Sequence, residues 1–268
     1  MKAHPKRHFG QHFLRDTGIL GRLERLIQPA STDYIVEIGA GDGGLSRRIA
    51  PSAGRFLALE IDADQMPALR EAIASSPRAM ALNADVLELD LEELLGDTHP
   101  DALRTRLVGN LPYNIASAII HRSLRLQLPV LDMTFMVQLE VAQRIISPPR
   151  SRAYGYLSVD CQHRADVRMV FKVPPACFVP RPRVMSAVIQ LRPRAPHPAS
   201  RQDLAFDDLV KAAFGYRRKT LENSLRRNPN LGPVCAALLK RAEIDGSRRP
   251  EDLSVAEYEH LARAYCGL

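Results

Sequence analysis

The chain has 268 residues, of which 46% are hydrophobic, and its formal net charge is +7. A chain of this length and composition can bury one large core and carry a small additional domain. Because no apolar run approaches the length of a membrane span and no apolar segment follows the basic start, we predict neither membrane insertion nor secretion.

Cysteine usage is typical of a reducing compartment. The four cysteines, at positions 161, 177, 235 and 266, have no C-x-x-C spacing. We therefore expect reduced thiols in a cytoplasmic protein and no metal site.

The first strong pattern along the chain is a strand, a glycine loop and a helix. A mostly apolar run, 34–38, leads into Gly39, Gly41 and Gly44, and a helical pattern follows over 45–50. The glycines satisfy G-x-G-x-x-G, which is typical of folds that bind either a dinucleotide or S-adenosylmethionine. The pattern alone does not separate these two cofactors.

Acidic residues at the ends of the next strands fit either cofactor. Glu60 stands 21 positions after Gly39 at a strand end, where a carboxylate can accept from ribose hydroxyls. Asp85, after the run 79–83, fits an acceptor for an adenine amine, with the Val86 backbone N–H nearby for a ring nitrogen. A helix cap or turn residue is the alternative for Asp85.

The motif Asn110-Leu111-Pro112-Tyr113 follows the apolar run 106–109 and suits chemistry on a planar amine. Such an amine is a poor nucleophile because its lone pair is delocalised into the ring. The Asn110 side-chain oxygen and the Leu111 carbonyl can accept its two N–H groups, which favours a pyramidal nitrogen. Pro112 fixes the backbone, and Tyr113 offers a face for an extruded base. The alternative is a strand ending in a proline turn, with Tyr113 as packing.

The order of elements predicts a parallel-dominated α/β sheet with an antiparallel final hairpin, followed by a helical domain. The predicted strands are 34–38, 56–60, 79–83, 106–109, 132–137, 163–171 and 185–192, and the predicted C-terminal helices are 204–214, 221–225, 234–239 and 253–265. The residues placed at successive strand ends, which line one crevice in an open parallel sheet, are Gly39, Glu60, Asp85 and Asn110. Prolines at 193, 196 and 198 mark a linker, which gives domains 1–195 and 196–268.

Positive charge is concentrated in the C-terminal part. Residues 1–180 hold 21 Lys and Arg against 20 Asp and Glu, whereas residues 181–268 hold 16 against 10. Arg217, Arg218 and Lys219 form a continuous basic run, so we predict that they contact RNA phosphates. A solvated surface is the alternative.

Seven ordered segments of the chain resemble the ribosomal RNA adenine dimethyltransferase family, from about Lys6 to the C-terminus. They are 7–14, 36–41, 110–113, 138–144, 153–159, 173–178 and 214–220. Parts of two of them, 10–14 and 154–159, look closer to the bacterial small-subunit branch, in which loss of the enzyme confers kasugamycin resistance. The resemblance implies a Rossmann-like class I S-adenosylmethionine-dependent methyltransferase fold with a small C-terminal helical domain.

The resemblance also implies an activity. It indicates a 16S rRNA adenine dimethyltransferase, which transfers methyl groups from S-adenosylmethionine to the exocyclic amines of two adjacent adenines during ribosome biogenesis. The domain 196–268 is expected to position the substrate. The implied partner is small-subunit rRNA within a pre-ribosomal particle, and the protein is expected to be a monomer.

Site residues follow from the same resemblance. Glu37, two residues before the first glycine, matches an acidic position near the cofactor's amino acid portion, which favours S-adenosylmethionine. The residues expected to bind the cofactor are His12, Leu14, Gly39, Gly41, Glu60, Asp85, Val86 and Asn110. Those expected at the reaction centre are Asn110 and Leu111, which orient the amine, and Tyr113 and Phe178, which sandwich the target adenine.

Three positions depart from the family pattern. Asn is common at the position of His12, Asp at that of Met185 and Arg at that of Tyr156. Loss of the Asp removes a carboxylate expected to order the loop after Phe178, so these changes affect loop geometry more than reaction type.

Two other functions remain open. One is a large-subunit rRNA adenine methyltransferase of the macrolide-resistance type, which shares fold and chemistry. The other is a non-catalytic RNA-binding assembly factor, against which the intact Glu60, Asp85 and Asn110 argue.

Overall fold

The computed structural model describes residues 11–98, 103–194, 200–216 and 218–267. These residues group into two units, one made of 11–98, 103–142 and 166–194 and the other of 143–165, 200–216 and 218–267. Among the helices described, none is both long and apolar enough to cross a membrane. All four cysteines are free thiols, and three of them are buried.

The first unit is built on a seven-stranded sheet and a separate two-stranded one. Its strands are β1 (Phe13–Leu14), β2 (Asp33–Ile38), β3 (Arg55–Glu60), β4 (Ala79–Asn83), β5 (Arg104–Asn110), β6 (Val130–Gln138), β7 (Ala165–Val173), β8 (Phe178–Val179) and β9 (Ser186–Pro193). The large sheet has the order β4-β3-β2-β5-β6-β9-β7, and β1 pairs antiparallel with β8. Strands β4, β3, β2, β5 and β6 run parallel, whereas β9 runs antiparallel to β6. The predicted α/β sheet is thus confirmed.

Helices alternate with the parallel strands. They are α1 (Thr17–Ile27), α2 (Ser46–Ile49), α3 (Met66–Ile73), α4 (Leu91–Thr98), α5 (Ala116–Ser123) and α6 (Leu139–Ile146). Helix α1 begins where the Asp16 side chain accepts the Ile19 backbone N–H, which satisfies one free donor of the first turn. Its apolar residues recur with helical spacing and are buried against the sheet.

Strand β2 lies in the interior of the sheet, between β3 and β5, and all six of its residues are buried. Its β-branched and aromatic residues suit a strand that is covered on both faces. The positions of Asp33 and Glu37 are therefore unusual, since each places a carboxylate inside the protein.

Asp33 belongs to a buried ion network at the amino ends of the strands. The Arg106 guanidinium lies between Asp33, at 3.1 Å, and Asp132, at 2.8 Å, and Arg104 pairs with Asp33 at 2.7 Å. These residues stand on the neighbouring strands β2, β5 and β6. Removing one partner of such a buried network leaves an uncompensated charge and costs about 3–5 kcal/mol.

The second unit is helical. It contains α7 (Tyr156–Arg164), α8 (Arg201–Phe214), α9 (Leu221–Leu225), α10 (Cys235–Arg241) and α11 (Val255–Cys266). Ser200 and Ser254 begin α8 and α11 with capping boxes, in which Asp203 and Glu257 return a bond to the cap backbone. Its own core includes Phe206 from α8 and is separate from that of the first unit.

The predicted strand 163–171 begins too early, because His163 and Arg164 are the last residues of α7. Arg164 pairs with Asp160 one helical turn earlier, at 2.7 Å, which favours continued helix. The two-residue strands β1 and β8 were not predicted, because two residues carry no periodicity. The predicted linker falls largely in 195–199, outside the described residues.

The helical unit also includes a segment from the middle of the chain, which the predicted domains 1–195 and 196–268 place in the first domain. Residues 143–165 group with the C-terminal helices. The reason is packing, since Tyr154 and Val159 contribute to the core of the helical unit. A linear division of the sequence could not assign this segment.

Candidate active site

A cavity opens at the carboxyl ends of β2, β3 and β5 in the first unit. The cavity, together with the open space at its mouth, spans about 890 Å³. The residues predicted for the site that line it are His12, Leu14, Gly39, Gly41, Glu60, Asn110, Leu111 and Tyr113. The structure thus brings together side chains that are up to 101 positions apart in the sequence.

The glycine loop is shaped by backbone conformations that other residues rarely adopt. Gly39 and Gly41 have φ of 70° and 59°. A Cβ atom at Gly41 would lie 2.9 Å from the Phe13 ring, so that position also needs the space. The third glycine with a positive φ is Gly43, whereas the sequence motif used Gly44.

Glu60 holds this loop in place. Its carboxylate accepts the Gly41 backbone N–H at 2.7 Å and the Asp62 backbone N–H at 2.8 Å. Asp62 in turn accepts from the Gln11 side chain at 3.0 Å. Burial raises the pKa of Glu60. The residue predicted for ribose binding therefore also supports the glycine loop.

Glu37 provides a second buried carboxyl group in the cavity. It is 2% exposed and accepts from the Ser46 hydroxyl at 2.5 Å. Burial, followed by the nearby Glu60 and Asp42 carboxylates, raises the pKa of Glu37 to about 8. Among the described residues that line the cavity there is no Lys or Arg. A ligand with positive charge would compensate these acids.

The cavity also contains an unpartnered polar atom. Thr134 on β6 lines the cavity, and its buried hydroxyl has no hydrogen-bond partner among the described residues. Buried hydroxyls normally form a hydrogen bond, so the Thr134 hydroxyl is available to bond a ligand. Two acids, a glycine loop without bulky side chains and this hydroxyl fit a cationic nucleoside such as S-adenosylmethionine.

Asn110 ends β5 with its side chain fixed by one hydrogen bond. The amide nitrogen Nδ2 donates to the His12 carbonyl at 2.7 Å. Because a carbonyl only accepts, this bond directs the nitrogen to His12 and leaves the amide oxygen Oδ1 as an acceptor. The Leu111 N–H donates to the Met136 carbonyl at 3.0 Å, while no described residue donates to the Leu111 carbonyl.

Tyr113 lies beside these acceptors. Its hydroxyl is 2.5 Å from the Ser186 hydroxyl, and burial raises the pKa of the phenol. The His12 and Tyr113 rings are 5.3 Å apart and inclined by 32°. His12 Nδ1 donates to the Pro180 carbonyl at 2.7 Å. His12 therefore contacts both Tyr113 and the segment that follows β8.

Three predicted site residues do not line the cavity. The Asp85 carboxylate accepts the Leu87 backbone N–H at 2.8 Å, which is the turn role left open for it. Val86 is buried next to it. Phe178 is 2% exposed, within the core of the first unit. Their assignments to adenine binding and to stacking stay predictions.

The basic run predicted to contact RNA lies in the helical unit. Arg217 is outside the described residues. Arg218 is exposed, with a φ of 72°, and Lys219 is exposed beside it. The Arg227 guanidinium lies 5.0 Å from the centre of the Tyr216 ring, which is itself exposed.

Sequence reasoning missed several cavity contacts. Ser46 could have been found as a small polar residue in the helix after the glycine loop, opposite Glu37. Thr134 and Met136 could have been found as alternate residues of the strand beside Asn110. Ser186 carried no local signal, since only the fold brings it to Tyr113.

A family model described as ribosomal RNA adenine dimethylase matches residues 3–265. A protein of Xylella fastidiosa, named ribosomal RNA small subunit methyltransferase A, is 40% identical over 264 residues, which cover 98% of this chain and 96% of that protein. One of Chromohalobacter salexigens with the same name is 39% identical over 259 residues, covering 96% and 90%.

Solved structures of methyltransferases have the same fold as this chain. A dimethyladenosine transferase from Plasmodium falciparum has a TM-score of 0.79 at 21% identity, covering 93% of this chain and 96% of that one. The 23S rRNA methyltransferase ErmE has a TM-score of 0.68 at 27% identity, covering 94% and 98%. The predicted methyltransferase fold is thus confirmed.

Proposed function

Because this chain belongs to the ribosomal RNA adenine dimethylase family, we propose that it transfers methyl groups to the exocyclic amines of two adjacent adenines in 16S rRNA. The observation that carries the proposal is the orientation of Asn110. Its amide oxygen is left as an acceptor inside the cavity, beside the free Leu111 carbonyl and the Tyr113 ring. The 39–40% identity to proteins named for the small subunit favours that rRNA over the large-subunit alternative.

The cofactor is S-adenosylmethionine, and the cavity residues fit it. Glu60 would hold the ribose hydroxyls of the cofactor, and Glu37 would face its amino acid portion. The backbone at Gly39 and Gly41 would approach the part of the cofactor that links the ribose to the amino acid portion. Asp85, with Val86, is assigned to the adenine. When bound, S-adenosylmethionine supplies an electrophilic methyl group on a positively charged sulfur.

Asn110 and Leu111 prepare the nucleophile. Two acceptors, Oδ1 of Asn110 and the carbonyl of Leu111, bind the two N–H groups of the adenine amine. These bonds favour a pyramidal nitrogen whose lone pair is directed at the methyl group. Because alignment dominates a direct displacement, no strong base is required, and the proton leaves to solvent water. The raised pKa of Tyr113 agrees with a neutral phenol that takes no part in proton transfer.

Aromatic side chains hold the extruded adenine. Tyr113 would stack on one face of the base, where the His12 ring now contacts it. Phe178 is assigned to the other face. Since its ring is buried in the core, this role requires a local shift of β8 that brings the ring to the cavity.

The helical unit would bind the rest of the substrate. Arg218 and Lys219, together with Arg217, are assigned to phosphates of small-subunit rRNA within a pre-ribosomal particle. The protein is proposed to act as a monomer in the cytoplasm, where this particle is assembled.

Mass mapping of methylated adenines tests the proposal. The chain is incubated with S-adenosylmethionine and, in separate reactions, with unmethylated small-subunit particles and large-subunit rRNA. We expect methyl groups on two adjacent adenines of the small-subunit rRNA alone. Methylation of the large-subunit rRNA would instead identify the macrolide-resistance type. Cofactor binding without any methylation would identify a non-catalytic assembly factor.

A further inference from the structure

Segment 179–185 joins β8 to β9 and is fixed at its start to β1, the strand that directly follows His12. Val179 pairs with Phe13 in the ladder between β8 and β1. The Pro180 carbonyl accepts from His12 Nδ1 at 2.7 Å. The beginning of the segment is therefore held against a residue that contacts the Tyr113 ring.

The end of the segment is fixed to the same site. The Met185 carbonyl accepts the Leu139 N–H at 2.9 Å. Ser186, the next residue, bonds the Tyr113 hydroxyl at 2.5 Å. Because both ends are attached around Tyr113, the residues between them lie beside the place where the target base stacks.

The outer surface of this segment is basic and apolar. Arg181 and Arg183 are exposed, and neither forms an ion pair with any described residue. Val179 is 55% exposed and Val184 is 44% exposed. The two guanidinium groups stand between two exposed apolar side chains, a combination that matches the phosphates and the sugar and base surfaces of a nucleic acid strand.

We propose that segment 179–185 binds the nucleotides that flank the target adenine. Arg181 and Arg183 hold their phosphates, while Val179 and Val184 pack against their sugars or bases. An RNA strand with one base on Tyr113 must pass its neighbouring nucleotides across this surface. The inference rests on the proposed function, and it names an RNA surface in the first unit, separate from the basic run of the helical unit.

The test compares two double variants with the same change of charge. Arg181→Gln with Arg183→Gln removes the proposed contacts. Arg70→Gln with Arg78→Gln removes two exposed arginines from the region of α3 and β4 in the same unit, where no described residue pairs with them. Binding to protein-free small-subunit rRNA and to unmethylated small-subunit particles is measured between about 0.05 and 0.3 M salt, a range in which phosphate binding is strongly salt-dependent. The affinity for S-adenosylmethionine is measured by calorimetry.

Removal of two single-strand phosphate contacts should reduce the slope of log affinity against log salt by about 1.4. At about 0.1 M salt this corresponds to an affinity that is about 25-fold weaker. The Arg70→Gln/Arg78→Gln protein should keep the parent slope, and both should bind S-adenosylmethionine like the parent. At saturating particle concentration, methylation by the Arg181→Gln/Arg183→Gln protein should approach the parent rate, because alignment at Asn110 is intact.

Two results would overturn the inference. If both double variants show the parent slope on RNA, the segment makes no phosphate contact. If the defect is present with particles but not with protein-free rRNA, the segment contacts a ribosomal protein instead. Failure of the proposed function looks different, because the parent and the Arg70→Gln/Arg78→Gln protein would then also leave the particles unmethylated.

Discussion

Asn110 is the residue on which amine orientation depends. Replacement by Ala removes the acceptor that is needed most as the amine becomes pyramidal, so the methylation rate should fall by about two to three orders of magnitude. Affinity for the particle should change little, since most of it comes from phosphate contacts elsewhere. Single-turnover methylation separates the two effects. Asn114→Ala, an exposed asparagine four residues later, is the matched control.

Glu37 should make stability depend on pH. Its folded pKa of about 8 lies above the ordinary value of 4.5, so the folded chain binds more protons than the unfolded chain between these pH values. Stability therefore falls as pH rises through this window. Glu37→Gln removes the cost of the buried charge, and its free energy of unfolding should exceed that of the parent by an amount that grows from about pH 5 to about pH 8.

The size of this difference is on the order of a few kcal/mol, since one pKa unit corresponds to about 1.4 kcal/mol. Urea unfolding of both proteins at the two ends of this pH range measures it, with the exposed Glu71→Gln as control. A difference that is equal at the two pH values would contradict the prediction. Glu37→Gln should also bind S-adenosylmethionine more weakly, because a bound positive charge favours the ionised form of Glu37, which Gln cannot provide.

Tyr113 combines a stacking face with a hydrogen bond to Ser186. Tyr113→Ala and Phe178→Ala should each remove base stacking of about 1–3 kcal/mol. Tyr113→Phe keeps the ring and should retain most activity, while losing about 1 kcal/mol of stability with the bond to Ser186.

Ser186→Ala should lose a similar amount of stability, and the variant that combines Tyr113→Phe with Ser186→Ala should lose no more than either single variant. If Tyr113→Phe is as inactive as Tyr113→Ala, the hydroxyl has a further role.

At the scale of elements, the glycine loop and the end of β3 act together. Glu60→Ala should weaken S-adenosylmethionine binding by about 2 kcal/mol, because a charged acceptor and the support of the loop are both removed. Asp85→Ala should weaken it by about 1 kcal/mol, since that carboxylate bonds its own turn outside the cavity. Calorimetry with S-adenosylmethionine measures both. Parent-like binding by both variants would remove the ribose and adenine assignments.

Elements with strong periodicity could be predicted from sequence, and short ones could not. Strand β2 was predicted to within one residue, because a buried run of branched and aromatic residues precedes a glycine. The positions of Glu60 and Asn110 in the site could then be predicted, since parallel strands end at the same edge of a sheet. Helix α7 could not be predicted because its N-cap residue, Gly155, has no side chain and its apolar spacing is weak. Contacts such as Ser186 with Tyr113 depend on pairing between distant strands, which no local pattern encodes.

At the scale of the whole molecule, the basic run of the helical unit is proposed to add RNA contacts to those of the first unit. Replacing Arg217, Arg218 and Lys219 with Ala should lower particle affinity and reduce the salt slope by about one for each phosphate that the protein no longer binds. Affinity for S-adenosylmethionine should stay unchanged. Lys240→Ala with Arg263→Ala, two exposed cations of the same unit, is the control. An unchanged slope would place the basic run among solvated surface residues.

The buried ion network at the amino ends of β2, β5 and β6 has a consequence for redesign. Arg106 stands four residues before Asn110 on the same strand, roughly 13 Å away. It fixes the pairing of β5 with its neighbours, and a slip by one residue would turn the Asn110 side chain to the other face of the sheet. Libraries that seek new base specificity should therefore keep Asp33, Arg106 and Asp132 unchanged. An inactive variant at Arg106 would reveal a shifted strand rather than a missing group at the reaction centre.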